Sequence, residues 1–158
     1  MIKIDAIDRQ IIKRLMDDGR MASAEIARQI GVSERAVRYR IQRLVENNII
    51  QVTAVVNPHT LGFSVIADVF IEVEPALIMD VAKTLAEHEN VSYVACSIGE
   101  RDISAQIVAR DANEIYSLAT EFIGQLPGVR KTTTSILPVK LKDVYEWYIP
   151  DSDAQEAD

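Results

Sequence analysis

Residues 23–50 read SAEIARQIGVSERAVRYRIQRLVENNII, two short amphipathic segments separated by a glycine, with arginines crowding the second. This is the pattern of a helix-turn-helix, in which the first helix crosses the DNA backbone and the second lies in the major groove. Ser23 is placed to cap the first helix with Glu25 near its positive end, and Ile26, Ala27 and Ile30 supply a buried stripe. Gly31 lets the backbone leave that helix, and Ser33 caps the next. There Val37, Ile41 and Leu44 fall at i, i+4 and i+7, so a turn of about 100° per residue sets Arg35, Tyr39, Gln42 and Arg43 on the far side. Arg38 sits on the flank, within reach of a base or a phosphate. Arg40 projects closer to the buried face, so its stem snorkels over the core and its head pairs with an acid or touches a phosphate at the rim. Asn48 tolerates the left-handed conformation a helix end asks for, which stops the helix near Asn47. The expected DNA-facing set is Ser23, Arg28, Ser33, Glu34, Arg35, Arg38, Tyr39, Gln42 and Arg43.

The net charge of −7 over 158 residues looks wrong for a DNA binder until the chain is divided at residue 50. Ten Lys and Arg stand against seven Asp and Glu before that point, and seven against seventeen after it. From Arg28 to Arg43 there are five arginines and one acid, Glu34. Local field matters more than the total, so a basic face can attract a duplex while an acidic body discourages indiscriminate binding. The same polarity argues for two domains. The apolar runs are short and broken by charge, as by Asp68 within Val65 to Ile71, so none could span a bilayer. Lys3 and Asp5 open the chain where a secretory leader would need an apolar run, and the expected location is cytoplasmic. The single Cys96 excludes an intrachain disulfide and reads as a buried thiol in an alternating segment. His59 and His88 stand apart, with no metal-ligand spacing around them, and no cofactor is implied.

A further helix precedes the helix-turn-helix, with Asp5 as its cap and Ile7, Ile11, Ile12, Leu15 and Met16 in helical register as far as Asp18-Gly19. After Ile50, Gln51 to Asn57 alternates and is rich in valine, a strand that would pass the chain on before a turn at Pro58, His59 and Gly62. The rest reads strand, helix, strand, strand, helix, strand: Phe63 to Val73; a helix opened by Pro75 and carrying Leu77, Ile78, Val81, Ala82 and Leu85; Val91 to Ile98; Ile103 to Ala109; a helix from Ala112 to Gln125; and Val129 to Val139. That order is the ferredoxin-like βαββαβ arrangement, an antiparallel sheet with two helices on one face. The fold class is therefore α+β, a three-helix, winged helix-turn-helix domain followed by a ferredoxin-like domain. The expected divisions are 1–50 for DNA binding, 51–62 for the linker strand and turn, 63–149 for ligand binding and dimerisation, and 150–158 for an acidic, disordered tail. The other face of the sheet needs a cover, so a homodimer is expected. Val144, Tyr145, Trp147, Tyr148 and Ile149 read as a packing cluster against the sheet or a neighbouring subunit.

With both halves placed, the chain resembles the leucine-responsive and asparagine regulator (Lrp/AsnC) family of transcription regulators over about residues 2 to 149. The resemblance rests on Asp17-Asp18-Gly19-Arg20, on Gly31-Val32-Ser33 into Arg40, Arg43 and Leu44, and on Gly99-x-x-Asp102 with Leu126-Pro127-Gly128-Val129. It implies dimers through the sheet domain, often gathered into rings, a double-stranded DNA target with two half-sites, and control by a small molecule, commonly an amino acid, bound between subunits. It further implies that the loop Gly99, Glu100, Arg101, Asp102 holds that effector, with Thr132 and Thr134 lining the same cleft. Loop amides suit a carboxylate and Asp102 suits an ammonium. Arg101 stands where family members commonly carry an aromatic residue, and a cation there either favours an acidic ligand or blocks an ordinary one. Read from its residues alone, the loop is equally a hairpin turn with Asp102 capping it.

Two other functions compete. Siroheme decarboxylases share the two-domain arrangement, but the histidine and tyrosine motif the resemblance implies for them has no counterpart histidine beside Val91-Ser92-Tyr93-Val94. An effector-independent, chromatin-like organiser would bind DNA broadly, and the acidic body argues against it. The expected reading is a regulator and not an enzyme.

Overall fold

The computed structural model of the chain describes residues 3–141 and Ile149; the acidic tail 150–158 and the aromatic segment from Val144 to Tyr148 lie outside the described residues. The chain forms two compact units that part between Val55 and Val56. Among the described residues no helix is long and apolar enough to cross a membrane.

The first unit holds three helices, α1 (Ala6–Asp17), α2 (Ser23–Ile30) and α3 (Glu34–Glu46). Asp5 caps α1 in a reciprocal box with Asp8: the Asp8 N–H donates to Asp5 Oδ1 at 2.8 Å and the Asp5 N–H to Asp8 Oδ2 at 3.1 Å. Each exchange satisfies an amide that the first helical turn leaves without a partner. Gly31 ends α2 at φ 73°, a left-handed conformation that costs glycine little. Ser33 then caps α3 by accepting the Ala36 N–H at 3.2 Å, and Asn48 leaves it at φ 54°. Ile11, Ile26, Ala27 and Val37 make the core, with Ile7, Leu15, Ile30 and Ile41 packed against it.

Two expectations for this unit need correction. Ala22, not Ser23, is the cap of α2; no side chain caps the helix, and Ser23 is its first residue. The strand expected over Gln51 to Asn57 does not form: residues 51–57 carry neither helix nor strand. The domain is accordingly three helices without a wing among the described residues. A strand exists only through a ladder partner, and alternation along one segment supplies none. Pro58–Leu61 instead make a single 3₁₀ turn capped by Asn57.

The second unit is a four-stranded antiparallel sheet, β1 (Val65–Val73), β2 (Val91–Cys96), β3 (Ile103–Ala109) and β4 (Val129–Ile136), in the order β2-β3-β1-β4. Helix α4 (Ile78–Ala86) and the helical stretch opening with α5 (Ala112–Ser117) cover one face. The stretch from Ala112 to Gln125, expected as one regular helix, widens to a π-turn over Leu118–Phe122 and tightens to 3₁₀ over Ile123–Gln125. Alternate residues Ala67, Val69, Ile71 and Val73 of β1 and Ile103, Ile107 and Ala109 of β3 pack against Val81, Leu85, Ile115, Leu118 and Ile123. Leu126-Pro127-Gly128 returns the chain to β4, and Gly128 has φ 85° with Leu77 so near that an added Cβ would stand 2.5 Å from its Cδ1. The opposite parity, Asp68, Phe70, Ser104 and Gln106, forms the face left uncovered among the described residues, where Gln106 Nε2 donates to Asp68 Oδ1 at 3.0 Å. Cys96 is exposed, not buried as its alternation suggests, with its Sγ 3.9 Å from Met79 Sδ. It ends an edge strand, where the core face has no further strand to seal it.

Candidate nucleic-acid interface and effector cleft

The exposed side of α3 is set by what its other side is held to. Val37 and Leu44 are completely buried and Ile41 packs against the core, which orients the helix about its own axis. Arg35, Arg38, Tyr39 and Gln42 then face outward. Tyr39 is 67% exposed, unusual for an aromatic side chain with no structural task. Arg35 has neither an ion pair nor a hydrogen-bond partner among the described residues. Arg38 is paired with Glu34 one turn earlier, and Arg28 of α2 with Glu25. These glutamates belong to the first turns of their helices, where the positive end of the helix dipole favours them. The Arg28 contact, then Gln29, holds Glu25 below its ordinary pKa. Gln42 Nε2 donates to Glu46 Oε1 at 2.7 Å.

Arg43 departs from expectation. Its guanidinium turns inward, Nη2 standing 2.5 Å from Oδ2 of Asp8 on α1. Arg40 makes the acidic pairing foreseen for it, its Nη1 2.7 Å from Asp5 Oδ2 and 2.8 Å from Asp8 Oδ1. Asp8 is fully buried, and its signal in the sequence is the capping-box spacing of Asp5-x-x-Asp8. Ser23 is half-buried at the start of α2, and Ser33 spends its hydroxyl on the cap.

Asp5 is held below the ordinary aspartate range, first by the Asp8 N–H and then by Arg40, while Arg40 is pushed up by its two carboxylates. A folded-state carboxyl depressed in this way stabilises the bundle above the unfolded aspartate value near pH 4, and the contribution is lost as pH falls through the folded value. Asp5→Asn is therefore expected to flatten the acid limb of the bundle's stability below about pH 4, read by urea melts at pH 3 and pH 6; the wild-type loss of stability should shrink in the variant.

The second locus is an open cleft of about 430 Å³ lined by Phe70, Ser97, Ile98, Gly99, Glu100, Arg101 and Ser104. Gly99 sits at φ 150°, a conformation closed to most side chains. Ser97 fixes the loop from within, its N–H donating to the Asp102 carbonyl at 2.9 Å and its Oγ to the Arg101 carbonyl at 2.7 Å. The Arg101 guanidinium lies over the Phe70 ring, Cζ 4.2 Å from the centroid, and has no ion pair among the described residues. A cation over a ring face at this distance is attracted by the ring quadrupole, which restrains the guanidinium beside the cleft.

Asp102 is not presented to the cleft as an ammonium partner. Its Oδ2 accepts the Val73 N–H at 2.7 Å and lies 3.6 Å from Arg130 Nη2, so it ties the loop to β1 and β4. Glu100 is the cleft's own carboxylate. Thr132 and Thr134 also depart from expectation: they pair with Ile71 and Val69, which puts them on the helix-covered parity. Thr133 and Ser135, opposite Phe70 and Asp68, share the uncovered face. Phe70 and Ser104 were missed because they lie on strands; their alternation with the core residues is the signal that would have placed them beside the loop.

Comparison with known proteins agrees with this architecture. Residues 4–45 match the AsnC-type helix-turn-helix domain, and residues 55–149 match a C-terminal dimeric α+β barrel domain of AsnC-type regulators. The HTH-type transcriptional regulator LrpA of Pyrococcus horikoshii is 36% identical over 140 residues, covering 88% of this chain and 99% of that one. The structure of E. coli AsnC superposes with a TM-score of 0.81 at 25% identity, covering 94% of this chain and 99% of that chain. A transcriptional regulator of Neisseria meningitidis, solved as an L-Met complex, superposes with a TM-score of 0.86 at 19% identity, over 92% of this chain and 97% of that chain. An AsnC-type helix-turn-helix followed by the α+β domain of the same regulators, in this order and over nearly the whole chain, makes it a member of the Lrp/AsnC family of DNA-binding transcriptional regulators.

Proposed function

We propose that the protein is a sequence-specific regulator, not an enzyme, whose grip on DNA responds to a small carboxylate-bearing effector, an amino acid, held at the loop between β2 and β3. The observation that carries the DNA half is the outward face of α3, where Arg35, Arg38, Tyr39 and Gln42 stand clear of the bundle in the helix that docks into a major groove. Ser33 and Glu34 begin that helix, and Arg28 lies on the helix before it, the place from which backbone phosphates are met. A homodimer formed through the uncovered sheet face presents two such helices to two half-sites, and dimers joined further into a ring would multiply that contact.

For the effector half, the support is the Arg101 cation, without an ion pair among the described residues and held over Phe70 beside Gly99, together with the L-Met bound by a structural neighbour. In this cleft Arg101 takes the ligand carboxylate and Glu100 the ammonium, with Asp102 holding the loop in shape. A ligand with a second acidic group is favoured over an apolar one by the same cation.

Fluorescence anisotropy with a duplex from the gene's own upstream region and with a scrambled duplex, at two salt concentrations and with or without mixed amino acids, tests both halves. A preference for the native duplex that the mixture shifts supports an effector-gated regulator. Equal weak binding to both duplexes points to the organiser, and no binding at low salt returns the enzyme reading. Arg101→Ala is expected to weaken the effector response by about 10-fold or more, the worth of a charge-assisted contact, while DNA affinity without effector stays as in the wild type. An unchanged response would remove Arg101 from the site.

A further inference from the structure

Helix α3 carries four arginines, and the structure sorts them into two kinds. Arg35 and Arg38 point outward, whereas Arg40 and Arg43 converge on one buried carboxylate, Asp8 of α1. Both oxygens of that carboxylate are used: Oδ1 takes Arg40 Nη1, and Oδ2 takes Arg43 Nη2 and the Asp5 N–H. Asp5 adds a second hold on Arg40. The guanidinium groups are only 22% and 32% exposed as side chains, against 71% for Arg38. A carboxylate that accepts one N–H from each of two guanidinium groups offers them the same charge-assisted acceptor chemistry as a phosphate.

We propose that Asp8 is a specificity-determining positioning residue that works as an internal phosphate substitute, withholding Arg40 and Arg43 from the DNA backbone. Phosphate contacts are blind to sequence, and each one strengthens binding to every duplex alike. Two cations taken out of that pool lower the affinity for random DNA without touching the side chains that face base edges. The same pairing pins α3 to α1 from a helix 32 and 35 residues away in sequence, so the outward residues meet a groove from a fixed platform. The assignment rests on α3 being the DNA-facing helix, and its test separates the two claims.

The experiment measures affinity of the full-length protein for a random-sequence 30-base-pair duplex across a series of KCl concentrations and reads the slope of log K against log salt. Asp8→Asn keeps the size of the side chain and an acceptor for the Asp5 N–H but removes the charge. The slope of this variant is expected to steepen by about 0.9 for each guanidinium that transfers to a phosphate, with tighter binding to random DNA. Arg43→Met is expected to leave the wild-type slope unchanged, because Arg43 makes no phosphate contact to lose. A purely structural role for Asp8 would weaken binding at all salts with no steepening, and that result in a folded variant overturns the proposal. So does a slope shallower by about 0.9 in Arg43→Met, which decides the matter alone where Asp8→Asn fails to fold by circular dichroism. Absence of any binding by the wild type at the lowest salt overturns the DNA-facing assignment itself and the proposal with it.

Discussion

Replacing Arg35 with alanine is expected to weaken binding to the native upstream duplex by about 1–3 kcal/mol, or roughly 5- to 150-fold, if its guanidinium meets a base edge. Arg35 is the second residue of α3, in the part of a recognition helix that reaches deepest into the groove. It is exposed and unpartnered among the described residues, so nothing in the bundle is lost with it, and thermal stability should move by no more than about 0.5 kcal/mol. Affinity for scrambled DNA should fall far less, since a base contact carries the sequence preference and a phosphate contact does not. Anisotropy with both duplexes, alongside a melting curve, separates these effects. Equal losses on the two duplexes would make Arg35 a phosphate contact, and no loss on either would show that another face of α3 meets DNA.

A larger effect on folding is expected at Ile11. Its side chain is fully buried between Ile26, Ala27 and Val37, and truncation to alanine should cost about 2–5 kcal/mol through lost burial and the cavity left behind. A three-helix unit of this size has little stability to spare, because so small a domain buries a modest fraction of its surface. The sheet unit keeps its own core of Val69, Ile71, Leu85, Ile107 and Ile123. Calorimetry of Ile11→Ala should therefore show one transition lowered by roughly 10 °C or more and a second near its wild-type temperature, with DNA binding lost and effector binding kept. A single transition shifted as a whole would mean that the two units unfold together.

Element type was legible wherever local chemistry decides it. The Asp5 and Ser33 caps, Gly31, Asn48 and the buried stripe of α3 all follow from spacing, and the strand order follows from apolar runs with turn signals between them. What escaped depends on distant partners or on small register changes. Helical angle alone sets Arg43 on the far side of α3, where its charge favours water; the carboxylate that draws it in belongs to another helix. The family resemblance puts Thr132 and Thr134 in the cleft, but pairing shifts between Glu72 and Val73, and a one-residue bulge exchanges the two faces of a strand. Alternation points Cys96 toward the core because it reports the side of a sheet and not its edge. Gln51 to Asn57 has the composition of a strand and no ladder partner among the described residues, and composition cannot supply one.

The sorting of α3 into a supporting side and a reading side bears on how such proteins diverge. Arg35, Tyr39 and Gln42 contribute nothing to the bundle's packing, whereas Val37, Arg40, Leu44 and Arg43 hold it together. If the outward group reads DNA as proposed, a duplicated copy could exchange that group while inheriting the second intact, so that binding preference and foldability would rest on different letters of the same thirteen-residue helix.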